Sequence, residues 1–268
     1  MRILVIGAGT IGREIIRECE VLDTVEKCYV YDNHPDVTKT FCGSLEKTEV
    51  IENIKPRSPD IDLVVESASQ SAVREFGKMA LDNDSDLMIM SIGALVDDEL
   101  RDQLFGTAKE RGLNIYLPSG ALSGLDGVTS SAVTKVQEVT LETRKPPSAL
   151  KDSKFVRDNA MDLESIKEEK ILYSGPATEV VKLFPKNVNV AATLSLSGIG
   201  FERTTVKVIC DPNAKINSHT IRLKGDSGEL LCSSFNAPSP DNPGTSYLAS
   251  LSAVSTLRKI CSGVWIGV

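Results

Sequence analysis

The sequence predicts an α/β protein in which an N-terminal doubly wound parallel sheet precedes an α+β domain with a mixed or antiparallel sheet. Three observations support this prediction. Strand and helix patterns alternate in the first half, strands joined by short turns follow in the second half, and a long amphipathic helix lies near the end. We expect a first domain at residues 1–122 and a second at 123–244, with the last helix, at about 245–268, packing back on the first.

The first domain starts with RILVIG at residues 2–7, a continuous apolar run typical of a strand that is buried on both faces. Helical spacing follows, with Ile11, Ile15 and Leu22 on one face. Further strands are predicted, in order, at residues 27–32, 61–69, 85–95 and 113–122, with a helix after the second and after the third of these. Asp97 can cap the later helix, and Gly112 can end it.

The second domain starts with EVTLETRKP at residues 138–146, which alternates like a half-exposed strand. Charged residues dominate 151–170, where we expect a solvated loop and a short helix. Helices are predicted at residues 177–184 and 189–200, and strands at 204–211, 217–225 and 228–236. Because short turns join these three strands, they predict an antiparallel meander.

Charge and composition argue against several kinds of partner. A net charge of −7 and a pI near 5.1 argue against nucleic acid, which binds basic surfaces. No apolar run approaches the ~20 residues that span a bilayer, and no targeting segment is recognisable, so we expect no membrane partner and a cytoplasmic location. The six cysteines have neither C-x-x-C spacing nor histidines at ligand spacing, so no metal is expected.

A glycine-rich turn gives the first functional signal. GAGTIG places Gly7, Gly9 and Gly12 in G-x-G-x-x-G spacing, directly after the first strand and at the start of a helix. The glycines permit a tight turn and a close approach to a pyrophosphate, which the helix N-terminus at Thr10 and Ile11 then faces. The sequence thus predicts a dinucleotide-binding domain of the Rossmann type.

Asp32 closes the second strand and indicates which dinucleotide binds. A carboxylate at this position accepts hydrogen bonds from the adenosine ribose hydroxyls and repels a 2′-phosphate, so NAD is favoured. NADP stays possible because Asn33 and His34 could partly tolerate a phosphate. His34 itself is expected on the adenosine side, away from the chemistry.

Three predicted strands end in small residues: ESAS at 66–69, SIGAL at 91–95 and PSGAL at 118–122. In a doubly wound sheet the ligand crevice lies outside the carboxyl ends of the strands. Small residues there allow a nicotinamide ring to approach the backbone, and together the three ends predict its pocket. From the first of them, Ser67, Ala68 and Ser69 are candidates for binding the cofactor.

Motifs along almost the whole chain resemble one family. In order, they are ESASQSAV, SIGALVDDEL, PSGALSGLDG, TRKPP, FPKNVNVAA, NSHTIRLKGDSG and NPGTSYLASLSAVSTLR. Together with GAGTIG they resemble the L-aspartate dehydrogenase family. The resemblance implies oxidation of L-aspartate by NAD or NADP to iminoaspartate, which is hydrolysed to oxaloacetate and ammonia or passed to quinolinate synthase for NAD biosynthesis. It also implies a homodimer.

The same resemblance implies roles for residues of the second domain. His219 corresponds to the active-site histidine of the family, and Ala121 and Asn189 correspond to cofactor contacts. On the residues alone, strand alternation puts His219 on a covered apolar face, where a histidine is more often structural than catalytic, and Asn189 could instead cap a helix. Arg144 and Lys145 are our candidates for binding the carboxylates of aspartate.

Two alternatives stay open at this point. Another oxidoreductase of the same two-domain plan, acting on homoserine or dihydrodipicolinate, would share the cofactor motif. A catalytically silent module that senses NAD(H) would share it too, although His219 on a covered face and the three strand ends argue against it. No cysteine has the setting of a thioester nucleophile, which counts against a semialdehyde dehydrogenase.

Overall fold

The computed structural model describes residues 1–54, 60–184 and 188–267, and the chain forms two compact units. The first comprises Met1–Pro118 and Ser250–Ile266, and the second comprises Ser119–Ala249 with Gly267. The division thus falls shortly before residue 122. The reason is that the carbonyl oxygen of Ala121 accepts hydrogen bonds from Ser234 and Asn236 of the second unit.

The first unit is built on six parallel strands in the order β3-β2-β1-β4-β5-β6. They are β1 Arg2–Ile6, β2 Lys27–Tyr31, β3 Thr48–Val50, β4 Leu63–Glu66, β5 Asp86–Ile89 and β6 Ile115–Tyr116. The strand order reverses at β1, since β2 lies on one side of it and β4 on the other. The predicted doubly wound sheet is confirmed, and a reversal of this kind is where such sheets bind ligands.

Within the described residues, the helices that connect these strands are α1 Thr10–Val21, α2 Pro35–Cys42, α3 Gln70–Asp82, the 3₁₀ helix Ile92–Val96 and α4 Asp98–Arg111. The Asp97 side chain accepts a hydrogen bond from Leu100 N at 3.2 Å, and Gly112 ends α4 with a φ of 68°, as predicted. β5 and β6 are shorter than their apolar patterns, because the chain turns into the 3₁₀ helix after β5 and enters the second unit after β6. The sequence patterns did not predict α2 and β3.

The second unit contains a five-stranded mixed sheet in the order β11-β10-β7-β9-β8, and a separate hairpin. The strands are β7 Val136–Lys145, β8 Lys170–Pro176, β9 Thr204–Cys210, β10 Asn217–Gly225 and β11 Gly228–Asn236; the hairpin pairs β12 Pro238–Ser239 with β13 Asn242–Ser246. The prediction of an antiparallel meander is correct for β10 and β11 and wrong for β9. β10 and β11 are antiparallel neighbours, but β7 lies between β10 and β9, because it is buried on both faces at Thr140 and Leu141 and takes the centre.

In the part of the second unit that the structure describes, the helices are α5 Leu125–Ser131, α6 Pro147–Leu150, α7 Lys154–Asp158, α8 Ala177–Leu183 and α9 Val188–Ser197. α7 is the short helix predicted within 151–170, whereas the sequence patterns did not predict β8, an edge strand. The predicted α+β architecture is confirmed. In the described part of the chain, every helix is too short or too polar to cross a bilayer.

The last helix, α10 Tyr247–Ser262, contributes to the core of the first unit. Its Ala253 and Leu257 are fully buried in the same cluster as Ile15 of α1. Arg258 makes a two-point ion pair with Glu18 of α1, at 2.7 and 2.9 Å. The residues at the end of the chain therefore stabilise the glycine-bearing helix at its start.

Candidate active site

The glycine turn of the first unit has room for a ligand at one glycine and none at the other two. Gly7 has a φ of 96°, and a Cβ there would lie 2.8 Å from Cα of Ala68. A Cβ on Gly12 would lie 1.9 Å from the Gly7 carbonyl oxygen, to which Ser67 Oγ also donates a hydrogen bond at 2.9 Å. A Cβ on Gly9 would meet nothing within 4 Å. The turn therefore fits a pyrophosphate above Gly9, at the start of α1.

A cavity of about 330 Å³ lies beside this turn. The predicted residues that line it are Gly7, Gly9, Asp32, His34, Ser67, Ala68 and Ser69. Thr10, Ile11 and Gly12 do not line the cavity. They form the first turn of α1, whose backbone N–H groups have no partner within a helix. His34 and Asp32 line the cavity together, as expected for its adenosine side.

Asp32 connects the glycine turn to the loop after β2. One carboxylate oxygen accepts a hydrogen bond from Ala8 N and the other from His34 N, both at 2.7 Å. Each oxygen keeps a further lone pair. The carboxylate can therefore accept hydrogen bonds from ribose hydroxyls, and its charge opposes a phosphate at the same place.

Glu66, at the end of β4, was not predicted as a site residue, and it connects two of the three small-residue strand ends. It is 1% exposed, and its carboxylate accepts hydrogen bonds from the backbone N–H groups of Ala68 and Ser69, both at 2.8 Å. It also accepts hydrogen bonds from Ser91 N at 3.0 Å and Ser91 Oγ at 2.9 Å. Burial raises the pKa of Glu66, and these hydrogen bonds oppose that rise. The four donors fix the two loops to each other.

His219 lies in β10 on the covered face of the second sheet and is 4% exposed. The register places it between Thr143 of β7 and Ser234 of β11. Thr143 Oγ1 and His219 Nδ1 form a hydrogen bond of 3.1 Å, the only one that the imidazole makes among the described residues. Burial lowers the pKa of His219, and the positive charge of Lys145 lowers it further, to about 3. The imidazole is therefore neutral near pH 7.

The two basic residues of TRKPP point to opposite faces of β7, because side chains alternate along a strand. Lys145 is 7% exposed and lies close enough to His219 to lower its pKa. Arg144 lies on the other face, where it forms ion pairs with Glu169 at 2.7 Å and with Asp211 at 3.7 Å. The structure therefore separates the pair that the sequence suggested, and it brings only Lys145 to the histidine.

The two remaining candidates of the second unit lie on different elements. Ala121 is 6% exposed, and its carbonyl oxygen is held at 2.9 Å by Ser234 Oγ, next to His219 in the sheet. Asn189 lies in the first turn of α9 with an exposed side chain. The neighbouring Asn187 lies outside the described residues.

The arrangement of the cysteine, histidine and acidic side chains bears on metal binding. Among the described residues, no group of three or more His, Cys, Asp or Glu side chains is arranged to hold a metal ion. All six cysteines are free thiols, and four of them are buried.

Comparison with known proteins gives consistent results for the two units. Residues 126–260 match the family model "Aspartate dehydrogenase, C-terminal", and residues 7–118 match "Homoserine dehydrogenase, NAD binding domain". The L-aspartate dehydrogenase of Methanosarcina acetivorans is 45% identical over 100% of this chain and 99% of its own. L-aspartate dehydrogenase 2 of Bordetella pertussis is 37% identical over 99% of each chain.

Solved structures give the same result. The aspartate dehydrogenase of Thermotoga maritima superimposes with a TM-score of 0.77 at 29% identity, covering 99% of both chains. A homoserine dehydrogenase from Thiobacillus denitrificans gives a TM-score of 0.61 at 12% identity, over 97% of this chain and 73% of its own. At that identity the second structure shares the fold alone.

Replacing Gly12 with alanine tests the packing of the glycine turn. The added Cβ cannot fit 1.9 Å from the Gly7 carbonyl oxygen, so the turn must move away from the cavity. We expect the Kd for NADH, measured by fluorescence titration, to rise about tenfold or more. Gly106→Ala, in an open position of α4, is the control and should keep the wild-type Kd. An unchanged Kd in Gly12→Ala would contradict the role of this turn.

Proposed function

This chain belongs to the L-aspartate dehydrogenase family, and on that premise we propose that it oxidises L-aspartate to iminoaspartate, which hydrolyses to oxaloacetate and ammonia. The observation that supports this proposal most directly is a neutral, buried His219 close to the cation Lys145. A histidine can move protons on an amine, and a cation can hold a carboxylate. When bound, a nicotinamide dinucleotide supplies the acceptor for the hydride that leaves the substrate Cα.

We propose that His219 accepts and donates protons during the reaction. If its Nδ1–H donates to Thr143 Oγ1, the Nε2 atom keeps a lone pair that can accept a proton. That proton comes from the substrate ammonium before hydride transfer, or from the water that attacks the imine carbon afterwards. Thr143 then acts as a positioning residue, because it selects the tautomer. Lys145 is proposed to bind a substrate carboxylate, and Arg144 is not retained for this role.

We propose NAD as the preferred dinucleotide, with NADP used less well. The support is the Asp32 carboxylate, which lines the first-unit cavity and opposes a 2′-phosphate. The residues proposed to contact the cofactor are Gly7, Gly9, Thr10, Ile11, Gly12, Asp32, Ser67, Ala68, Ser69, Ala121 and Asn189.

We further propose a homodimer, a cytoplasmic location and transfer of iminoaspartate to quinolinate synthase. For the dimer, the support is Leu231 and Phe235, which are 61% and 71% exposed on one face of the edge strand β11, where large apolar side chains are typical of an interface. The proposed location is supported by the six free thiols, which suit a reducing compartment.

The proposed transfer is supported by the chemistry of the product, because the imine hydrolyses unless a second enzyme consumes it.

A substrate and cofactor screen tests the proposed reaction. The purified protein is assayed for NADH or NADPH formation with L-aspartate and with L-homoserine, and dihydrodipicolinate is assayed in the direction of reduction. We expect the highest kcat/KM with L-aspartate and NAD, because Asp32 disfavours NADP and Lys145 favours a carboxylate. No aspartate-dependent rate with either dinucleotide at any pH would contradict the proposal. Dinucleotide binding without turnover of any of these compounds would favour the sensing module.

Replacing His219 with alanine tests the proton role. Because general acid–base groups contribute about 10²- to 10⁴-fold to rates, we expect kcat to fall within that range while the Kd for NADH stays unchanged. Thr220→Ala is the control, since the next residue of β10 points to the opposite face, where it hydrogen-bonds to Ser233. Undiminished turnover in His219→Ala would contradict the assignment.

A further inference from the structure

A buried carboxylate immediately precedes a loop that lines part of the dinucleotide cavity. The loop consists of Ser67, Ala68 and Ser69, and the last two of these residues are exposed. Glu66 comes directly before the loop, is 1% exposed and does not line the cavity. Any effect of Glu66 on a bound dinucleotide therefore passes through the residues that it holds.

The loop 67–69 packs directly on the glycine turn. Ser67 Oγ donates hydrogen bonds to the carbonyl oxygens of Gly7, at 2.9 Å, and Ile6, at 3.2 Å. Ala68 lies so close to the turn that a Cβ added to Gly7 would meet its Cα at 2.8 Å. A displacement of the loop would therefore also displace the turn that faces the pyrophosphate.

Four donors from two loops converge on the Glu66 carboxylate. Oε1 accepts hydrogen bonds from the N–H groups of Ala68 and Ser69, both at 2.8 Å, and from Ser91 Oγ at 2.9 Å. Oε2 accepts one from Ser91 N at 3.0 Å. An ionised carboxylate accepts from all four and presents no donor of its own. A glutamine carries an NH₂ group in place of one oxygen, so in either orientation of its amide at least one backbone N–H would face another donor.

We propose that Glu66 is a positioning residue for the dinucleotide, and that its carboxylate sets the affinity for the cofactor through the loop 67–69 and the glycine turn. The inference rests on the proposed binding of a nicotinamide dinucleotide and holds for any substrate. The effect has the opposite sign to a purely electrostatic one. A negative charge near a pyrophosphate weakens binding, so removal of that charge alone would lower the Kd, whereas loss of the loop geometry raises it. Because four donors already compensate the charge of Glu66, we expect the geometric effect to be the larger one.

The test is the Kd for NADH of Glu66→Gln, measured by fluorescence titration of the purified protein. We expect the Kd to rise about tenfold, the usual effect of one hydrogen bond to a charged group. In turnover with saturating L-aspartate, KM for NAD should rise by about the same factor while kcat stays within about twofold of wild type, because the loop contributes equally to binding in the ground state and the transition state. A residue that only stabilised the fold would lower the melting temperature without this split.

Glu20→Gln is the matched control, because the Glu20 carboxylate also holds a loop. It accepts hydrogen bonds from the N–H groups of Glu46 and Lys47, at 3.0 and 3.1 Å, and from Thr48 Oγ1 at 2.6 Å. Glu20 lies at the other end of α1 from the glycine turn and does not line the cavity. This variant should lower the melting temperature, as Glu66→Gln does, but keep the Kd for NADH within about twofold of wild type.

Ser91→Ala serves if Glu66→Gln does not fold. It removes one of the four donors, and Ser91 does not line the cavity. We expect the Kd for NADH to rise about threefold, because the Ser91 N–H still holds the carboxylate. Ser85→Ala, at the other end of β5, removes a buried hydroxyl that donates to the Ile61 carbonyl oxygen at 2.7 Å, and it should leave the Kd unchanged.

The outcomes separate this inference from the proposed reaction. An unchanged or lower Kd in Glu66→Gln or, if that variant does not fold, in Ser91→Ala would overturn the inference, and so would an equal rise in Glu20→Gln. The titration requires NADH but no particular substrate, so these results leave the oxidation of L-aspartate intact. A wild-type protein that binds NADH without aspartate-dependent turnover would overturn the proposed reaction, while a raised Kd in Glu66→Gln would still support the inference.

Discussion

The register of the second sheet determines the environment of His219. Thr143, His219 and Ser234 face inward in one row across three strands, and a shift of one residue in β10 would turn His219 to the other face. The inward-facing row on one side of it contains Lys145, and the row on the other side contains Leu141 of β7 and Ile221 of β10, which are apolar and buried. Desolvation, the tautomer-selecting contact and the nearby cation therefore all follow from strand pairing.

This arrangement has a chemical consequence for the free protein and for the substrate complex. An imidazole with a pKa near 3 stays neutral but is a weak base. A bound carboxylate would offset the charge of Lys145 and favour the protonated imidazole, so it would raise the pKa of His219 toward the working range. Binding of an acidic substrate would thus make the imidazole a stronger base, which suits the proton role that we propose for it. The first unit uses acidic residues instead of Lys145. Asp32 and Glu66 accept hydrogen bonds from backbone N–H groups and so fix the loops around the dinucleotide cavity.

Local patterns predict what depends on short stretches of chain. Strand patterns that alternate with helical patterns identified the parallel sheet, and the spacing of Gly7, Gly9 and Gly12 identified the turn. Pairing between distant strands does not show in such patterns, and so the central place of β7 and the contact of Thr143 with His219 were missed. Glu66 was missed for a related reason, since its donors come from two loops. Arg144 and Lys145 were grouped because they are adjacent, although adjacent strand residues point to opposite faces.

The most direct test of this account is the pKa of the His219 imidazole in the free protein, measured by NMR titration. The chain has only two histidines, so a His34→Asn variant assigns the signals. Because burial and Lys145 both lower this pKa, we predict that His219 shows no titration between about pH 8 and 5, where an unperturbed histidine changes charge. Titration of His219 near pH 6.5 or above would contradict it, because the imidazole would then be solvated or paired with an acid.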